Sequence, residues 1–176
     1  GRVLLAHGGG GSLTRELIEE LFLAKFDNPL LKPLDDSAVL VMAGKGYAFT
    51  TDSYVVSPYV FPGGDIGKLA VCGTVNDLAV MGAQPDWLSL SFILEEGLLI
   101  ADLQRIVESI RVTAAEIGVQ IVTGDTKVVE RGKCDGLYIN TTGLGRILTP
   151  NQLGAANVKP GDAVILSGAL GEHGVA

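Results

Sequence analysis

The order in which helical and strand patterns follow one another along this chain leaves few folds open to it. Strand-like apolar patterns cover residues 2–6, 37–42, 47–56, 87–94, 119–123 and 137–144, and helical ones cover residues 12–22, 65–82 and 101–117. Strands twice follow one another with no helix between them, which favours an α+β domain over a doubly wound parallel sheet. We therefore predict a mixed β-sheet with helices packed on one face.

Three local signals refine this prediction. Ser12 stands where a side chain can cap the first helix. Residues 43–46 (Ala-Gly-Lys-Gly) predict a hairpin turn between two strands. The second helix, residues 65–82, is apolar on nearly all sides, so we expect it to lie within the core. The long apolar strands 47–56 and 87–94 leave sheet edges that so small a domain cannot cover, which predicts a homodimer formed through the sheet.

Composition excludes several classes of function. The 176 residues are 47% hydrophobic and 19% charged, which excludes a disordered chain. No apolar run approaches the roughly 20 residues that span a bilayer. Thirteen basic against twenty acidic residues give a net charge of −7 without any basic cluster, so a nucleic-acid surface is not expected. A polyphosphate ligand would therefore have to be accompanied by cations.

The two cysteines, Cys72 and Cys134, lie in unrelated contexts. Cys72 belongs to an apolar run, and we expect it to be a small core residue. Cys134 lies in a polar turn, residues 131–136, and neither cysteine has a nearby histidine to activate it. No signal-peptide pattern precedes the first predicted element, so we expect a cytoplasmic protein in a reducing compartment.

Acidic residues recur beside small residues at the ends of the predicted elements. Asp35-Asp36 precede the first hairpin strand, and Asp52, Asp77 and Asp125 follow in similar settings. Unpaired carboxylates are costly in apolar surroundings, and gathered carboxylates repel one another unless a cation binds them. Mg²⁺ takes carboxylates together with substrate phosphates as ligands, which would explain the set. The alternative is that these residues form turns and cap helices.

A glycine run, Gly8–Gly11, precedes the first helix and can present backbone N–H groups to an anion. A flexible terminus is the alternative. The glycine run is not a Walker A loop, because no Gly-Lys-Ser/Thr follows at the required spacing. The two lysines nearest to the acidic positions are Lys68 and Lys127. Lys127 follows Asp125-Thr126 directly and is the better candidate for a phosphate or an active-site acid, whereas Lys68 fits a solvated first-turn residue.

The last part of the chain predicts the start of a second domain. A turn at Pro160-Gly161-Asp162 is followed by a strand-like run at 163–166 and a glycine-containing loop at 171–174. A turn, a strand and such a loop usually begin a domain. We therefore predict an N-terminal domain at residues 1–149, and a linker with the first strand of a C-terminal domain at residues 150–176.

Seven segments together carry a resemblance to a known family. They are HGGGGS (7–12), DDSA (35–38), TTDSYVVSP (50–58), FPGGDIG (61–67), TVNDLAVMGA (74–83), GDTKVV (124–129) and GEHG (171–174). As a set they resemble the HypE family of hydrogenase maturation proteins. That family lies within the superfamily of aminoimidazole ribonucleotide synthetase, selenophosphate synthetase and thiamine-monophosphate kinase. The resemblance runs over nearly the whole chain, and the FPGGD segment favours HypE within the superfamily.

The resemblance implies a fold, an assembly and a reaction. Members have an N-terminal domain of the aminoimidazole ribonucleotide synthetase-like fold, and the sheets of two subunits close into a barrel with ATP sites around it. HypE-like proteins use ATP to dehydrate a carbamoyl group on a C-terminal cysteine to a thiocyanate, which supplies the cyanide ligand of the nickel–iron centre. The partners implied are a second copy, the carbamoyltransferase HypF and the HypC–HypD complex.

The resemblance also implies which residues act. ATP and Mg²⁺ are the implied cofactors, with Asp36, Asp52, Asp77 and Asp125 holding the metal and Lys127 facing the reacting group. The implied nucleotide-binding residues are Gly8, Gly9, Gly10, Gly11, Lys68 and Asn76.

The chain departs from the family in one respect, because neither Cys72 nor Cys134 matches the carbamoylated cysteine. Two other functions stay open. A sister kinase such as a thiamine-monophosphate kinase would keep the aspartates and phosphorylate a small molecule. A docking module of the maturation complex would bind no nucleotide.

Overall fold

The computed structural model describes residues 1–149 and 153–169. Its strands are β1 (Ala38–Met42), β2 (Lys45–Tyr54), β3 (Val60–Phe61), β4 (Gly64–Asp65), β5 (Ala83–Glu95), β6 (Gln120–Val129) and β7 (Leu137–Ile147). Its helices are α1 (Ser12–Leu17), α2 (Ala24–Phe26), α3 (Ile66–Val80) and α4 (Ile100–Ile117). A π-helical stretch, Ile18–Leu23, joins α1 to α2, and two short 3₁₀ helices cover Leu5–Gly8 and Ala155–Asn157. None of the helices in these residues is long and apolar enough to cross a membrane.

Five strands form one mixed sheet in the order β1-β2-β7-β5-β6, and β3 pairs with β4 in a separate ribbon. Neighbouring strands of the large sheet are antiparallel, except for β5 and β6, which are connected by α4 and pair in parallel. The predicted α+β class is confirmed. The long strands β2 and β5 lie inside the sheet rather than at its edges, which are formed by β1 and β6.

The turn between β1 and β2 confirms the predicted hairpin. Ala43 and Gly44 have φ angles of 48° and 75°, the left-handed conformation that both central residues of a tight two-residue hairpin turn adopt. From this turn β1 pairs with β2 along its whole length, from Met42 opposite Lys45 to Ala38 opposite Phe49.

Helices α3 and α4 pack on one face of the sheet, which we call the helix face. Along β7 every second side chain is buried against them, including Leu137 and Ile139. Helix α3 buries six of its fifteen residues against the sheet and α4, but Leu69 and Val80 are exposed, so it is not enclosed on all sides as predicted. At Gly67 a Cβ atom would lie 2.8 Å from the carbonyl oxygen of Ile106 on α4. The two helices therefore approach too closely for a larger residue at this position.

The opposite face of the sheet, which we call the open face, is not covered by any helix in the described part of the chain. Several large apolar side chains on it are partly exposed, among them Phe49 (42%), Trp87 (43%) and Ile93 (40%). Polar side chains lie between them, because Thr142 and Asn140 of β7 point to this face. A half-apolar sheet face of this kind is suited to contact with another protein surface.

The N-terminal residues differ from the prediction. Residues 2–6 form no strand, and Leu5–Gly8 is a 3₁₀ helix, because no described strand pairs with this short run and an isolated strand cannot satisfy its backbone groups. The first helix begins at Ser12 with Gly11 at its N-cap, so Ser12 is not the cap. No residue of α1 or α2 is buried.

The strand predicted at 163–166 is also absent, for the same reason. No described strand pairs with this run, and Val164 is 91% exposed. The predicted motif at 171–174 and residues 150–152, where the domain boundary was predicted, lie outside the described residues. The division into two domains stays a prediction.

Candidate functional site

Asp77 lies near the C-terminal end of α3 and contacts the helix face of β2. Its Oδ2 accepts a hydrogen bond of 3.0 Å from the hydroxyl of Thr50, which lies within 2.9 Å of the Asp36 carbonyl oxygen. The hydroxyl of Ser37 donates to the carbonyl oxygen of Asp77 at 3.0 Å. These hydrogen bonds connect residues 36–37, which precede β1, to both β2 and α3, and they bring Asp36 and Asp77 into one region.

Asp52 points to the same helix face, two residues after Thr50 on β2. Burial raises the pKa of Asp77, and the negative charges of Asp52 and Asp36 raise it further, while the Thr50 hydroxyl opposes the shift. Three of the four predicted metal ligands therefore interact electrostatically, and a cation would relieve their repulsion.

A chain of hydroxyl groups, which sequence reasoning missed, surrounds the Asp52 carboxylate. The hydroxyl of Tyr54 donates to Oδ2 of Asp52 at 3.1 Å and lies 3.1 Å from Oγ1 of Thr74. Thr74 in turn forms a short hydrogen bond with Thr141 on β7. Burial raises the pKa of Tyr54 to about 12, so this hydroxyl keeps its proton at neutral pH. The signal available in the sequence was the alternation of Thr50, Asp52 and Tyr54 along one strand.

The fourth predicted ligand, Asp125, is not brought to the other three within this chain. Strand β6 continues through Val129 instead of ending at residue 123, so Asp125 lies within the strand, opposite Ser91 of β5. Leu88 and Leu90 of β5 face the helices, and Ser91 therefore faces the open side, as does Asp125. The sheet separates Asp125 from Asp52 and Asp77.

Lys127 lies two residues further along β6 on the open face and pairs with Asp125. Its Nζ is 3.1 Å from a carboxylate oxygen of Asp125, and both side chains are largely exposed. This hydrogen bond, with the backbone N–H of Thr126, lowers the pKa of Asp125. Lys127 and Asp125 are thus held together on the side of the sheet away from the other carboxylates.

The predicted nucleotide-binding residues are scattered. Lys68 is exposed in the first turn of α3, about 13 Å along the helix from Asp77 at 1.5 Å per residue. It lines a groove with α4 instead. Asn76 is exposed beside Asp77. Gly8–Gly11 joins the first 3₁₀ helix to α1, and the N–H of Gly10 donates to Thr14 at 3.0 Å.

The burial of both cysteines differs from the expectation that Cys72 lies in the core and Cys134 in a polar turn. Cys72 is half-buried, and Cys134 is buried in the loop between β6 and β7. That loop folds over Glu95, whose carboxylate accepts hydrogen bonds from the N–H groups of Gly132 and Gly136. Burial raises the pKa of the Cys134 thiol, and the charges of Glu95 and Asp135 raise it further.

The donor chemistry fits Mg²⁺, although the carboxylates do not form a closed cage. Within residues 1–149 and 153–169, no three His, Cys, Asp or Glu side chains lie close enough together to hold a metal ion. Magnesium is usually bound by one or two carboxylates with water and substrate phosphates, rather than by protein ligands alone. Asp52 and Asp77, with oxygen donors only and a repulsion that a cation relieves, meet that requirement.

Comparison with known proteins identifies the family of this chain. Residues 34–147 match the family model of the AIR synthase related protein, N-terminal domain. The chain therefore belongs to the AIR synthase related family. Within it, the chain is 56% identical to a carbamoyl dehydratase HypE of Rhodobacter capsulatus, over 98% of this chain and 52% of that protein. A carbamoyl dehydratase HypE of Cupriavidus necator is 55% identical, over 100% of this chain and 50% of that protein. The chain thus spans about half the length of these relatives.

Solved structures give the same result. A HypE–HypF complex matches with a TM-score of 0.76 at 50% identity, covering 82% of this chain and 47% of the other. HypE in complex with ATP matches with a TM-score of 0.59 at 56% identity, covering 84% and 44%. A thiamine monophosphate kinase of Aquifex aeolicus is 17% identical with a TM-score of 0.61, covering 77% and 44%, and shows the fold alone. The predicted resemblance to HypE and the predicted fold are confirmed.

Proposed function

We propose that this chain forms the ATP-binding part of a carbamoyl dehydratase that acts in nickel–iron hydrogenase maturation. The observation that carries the proposal is the pair of carboxylates Asp52 and Asp77, held by hydroxyl groups on the helix face. The 56% identity to a carbamoyl dehydratase HypE supports the reaction, and the fold likeness to HypE in complex with ATP supports the nucleotide.

The reaction explains why a nucleotide is needed. An amide oxygen is a poor leaving group, but once it is phosphorylated it can leave as phosphate, which is a good leaving group. The carbamoyl oxygen forms a bond to the γ-phosphorus of ATP as the bond to ADP breaks. Loss of phosphate and of both amide protons then leaves a thiocyanate. Charge on the transferred phosphoryl group has to be offset by cations, which this acidic chain does not supply in clusters.

Asp52 and Asp77 would hold Mg²⁺ in this proposal, with Asp36 as a further oxygen donor. The metal would offset phosphate charge and orient the nucleotide. Gly8–Gly11 would cover the phosphates with backbone N–H groups. Asp125 and Lys127 lie on the open face, so we propose that they reach a bound phosphate from a second copy of the chain. Lys68 and Asn76 remain proposed as nucleotide contacts.

Titration calorimetry with ATP tests the proposal directly. Binding that requires Mg²⁺ and is lost with EDTA is expected. A docking module would show no binding under either condition. A small-molecule kinase would bind Mg-ATP as well, and mass spectrometry of its product would show an added phosphoryl group on a free substrate.

A homodimer formed through the open face is part of the proposal. Replacing Trp87 with Arg places a charge among the apolar side chains of that face, and we expect the dimer to dissociate. Light scattering should then give the monomer mass at concentrations where the unmodified chain is dimeric. Val112→Arg, at a similarly exposed site on α4, is the matched control and should leave the mass unchanged. A wild-type chain that is monomeric at every concentration would contradict the assembly.

The proposed partners are the carbamoyltransferase HypF and the HypC–HypD complex, in a cytoplasmic setting. A solved HypE–HypF complex that shares this fold supports HypF. HypC and HypD rest on the family resemblance.

Neither cysteine of this chain is expected to carry the carbamoyl group. Cys134 is buried and its thiol pKa is raised, so little of the reactive thiolate forms at neutral pH. Cys72 has no activating neighbour in the sequence. After incubation with Mg-ATP, a carbamoyl donor and the carbamoyltransferase, mass spectrometry should find no carbamoyl or cyano adduct on either residue. A stoichiometric, ATP-dependent adduct would overturn this prediction.

A further inference from the structure

One oxygen of the Asp52 carboxylate lies within hydrogen-bonding distance of two hydroxyl groups from different elements. Tyr54 donates to Oδ2 at 3.1 Å, and Oγ1 of Thr74 on α3 lies 3.4 Å from the same atom. Thr74 and Thr141 are fully buried, and Tyr54 packs against the main core cluster. One carboxylate oxygen therefore accepts a hydrogen bond from Tyr54 and lies against a buried threonine.

The hydroxyl groups of Thr141, Thr74 and Tyr54 can form one continuous chain of hydrogen bonds that ends at Asp52. Each has a single hydrogen, so Thr141 can donate to Thr74, Thr74 to Tyr54, and Tyr54 to Asp52. Asp52 is then the terminal acceptor. A terminal acceptor with no hydrogen of its own suits an ionised carboxylate, which is the form that binds a cation.

The backbone of α3 fixes the position of the Tyr54 hydroxyl as well. A Cβ atom on Gly73 would overlap that hydroxyl oxygen and would lie 3.0 Å from Cε1 and Cζ of the ring. The tyrosine hydroxyl therefore occupies space that only a glycine leaves open. The helix, the strand and the hydroxyl chain together determine where Oδ2 lies.

We propose that Tyr54 is a positioning residue, which orients the Asp52 carboxylate toward the cation of a bound metal–nucleotide, with Thr74 and Thr141 holding Tyr54 in place. This inference rests on the proposed function. A carboxylate without an anchor rotates about its Cβ–Cγ bond and loses entropy when it binds a metal. Groups that orient metal ligands typically change metal affinity about 10- to 100-fold when they are removed.

Tyr54→Phe tests the inference, because it keeps the ring and removes only the hydroxyl. The readout is the free Mg²⁺ concentration that gives half-maximal ATP binding in calorimetry. We expect this concentration to rise about tenfold while the melting temperature without cation changes little. Tyr138→Phe is the matched control, since its hydroxyl donates to an exposed carboxylate, Asp135, at 3.4 Å. It should leave the Mg²⁺ requirement unchanged.

A second pair of variants keeps the test decisive if Tyr54→Phe folds poorly. Thr74→Val keeps the shape of the side chain and removes its hydroxyl, whereas Thr74→Ser keeps the hydroxyl. The valine variant should raise the Mg²⁺ requirement and the serine variant should restore it to near the wild-type value. A structural role alone would not separate the two in that order.

The outcomes distinguish the inference from the proposed function. A wild-type chain that binds no Mg-ATP overturns both. If Asp52→Asn raises the Mg²⁺ requirement while Tyr54→Phe and Thr74→Val behave as the wild type, the positioning role is wrong and the proposed function stands. If Asp52→Asn itself changes nothing, Asp52 is not a ligand and the positioning role is wrong as well.

Discussion

Replacing Asp77 with Asn is expected to weaken Mg-ATP binding at least tenfold, about 1.4 kcal/mol. The substitution removes one negative charge from a site where Asp52 and Asp36 already repel it, and it leaves an oxygen to accept the Thr50 hydroxyl. We therefore expect the local structure to be retained while the proposed metal site loses one charged group. Calorimetry at saturating Mg²⁺ measures the effect. Unchanged affinity would make Asp77 a structural residue.

Asp52→Asn should have a similar effect, and the double variant should lose less than the sum of the two. Two carboxylates that bind one cation are not independent, because the loss of either already disrupts the site. Asp135→Asn removes the same charge from an exposed turn and serves as the control. Additive losses would indicate that Asp52 and Asp77 serve separate functions.

The raised pKa of Asp77 predicts that Asp77→Asn, which weakens Mg-ATP binding, stabilises the folded chain when no cation is present. A carboxyl whose pKa is higher in the folded chain than its usual value of 3.8 favours folding when it is protonated, and that contribution is lost as the pH rises through the folded pKa. At neutral pH, Asp77→Asn should therefore melt at a higher temperature than the wild type in EDTA. The difference should disappear as the pH falls below that usual value.

Leu78→Ala is expected to destabilise the fold by about 3 kcal/mol, within the usual range for a buried leucine. Leu78 is fully buried beside Ala48, Met81 and Ala83, next to Asp77 on α3. Its removal leaves a cavity beneath the turn that carries Asp77. Urea unfolding measures the change in the free energy of unfolding.

Leu69→Ala is the matched control for this experiment. It makes the same substitution on the same helix at a side chain that is 40% exposed, so a loss below about 1 kcal/mol is expected. Alanine is a better helix former than leucine, so a loss in either variant does not come from helix propensity. Equal losses would contradict the assignment of Leu78 to the core. The carboxylate site would then rest on a less rigid support than its burial indicates.

Much of the fold was accessible from local patterns. The glycines within residues 43–46 predicted the hairpin turn, in which Gly44 has the positive φ that glycine adopts readily. The helix at 66–80 begins where Asp65 caps it. Such features depend on neighbours in the chain. The strands predicted at 2–6 and 163–166 failed because a strand depends on a partner that apolar composition alone does not reveal.

The candidate site was accessible only in part. Local sequence identified the acidic residues, since carboxylates beside glycine and apolar residues are unusual in any element. It placed Asp125 at a strand end, whereas pairing with β5 extends β6 through Val129. Once a strand continues, each side chain is assigned to one face by its register, and the register is set by a partner far away in sequence.

The sequence by itself determined which residue types were present for chemistry, the helices and most strands, and the family. The tertiary structure decided which of those residues meet. Strand β7 lies between β2 and β5, and it brings the Thr141 hydroxyl to Thr74 of α3, 67 residues away in the chain, and through it to Tyr54 and Asp52. The same sheet directs Asp125 and Lys127 to its other face. Long-range strand order is determined by the packing of the whole core, and no local pattern contains it.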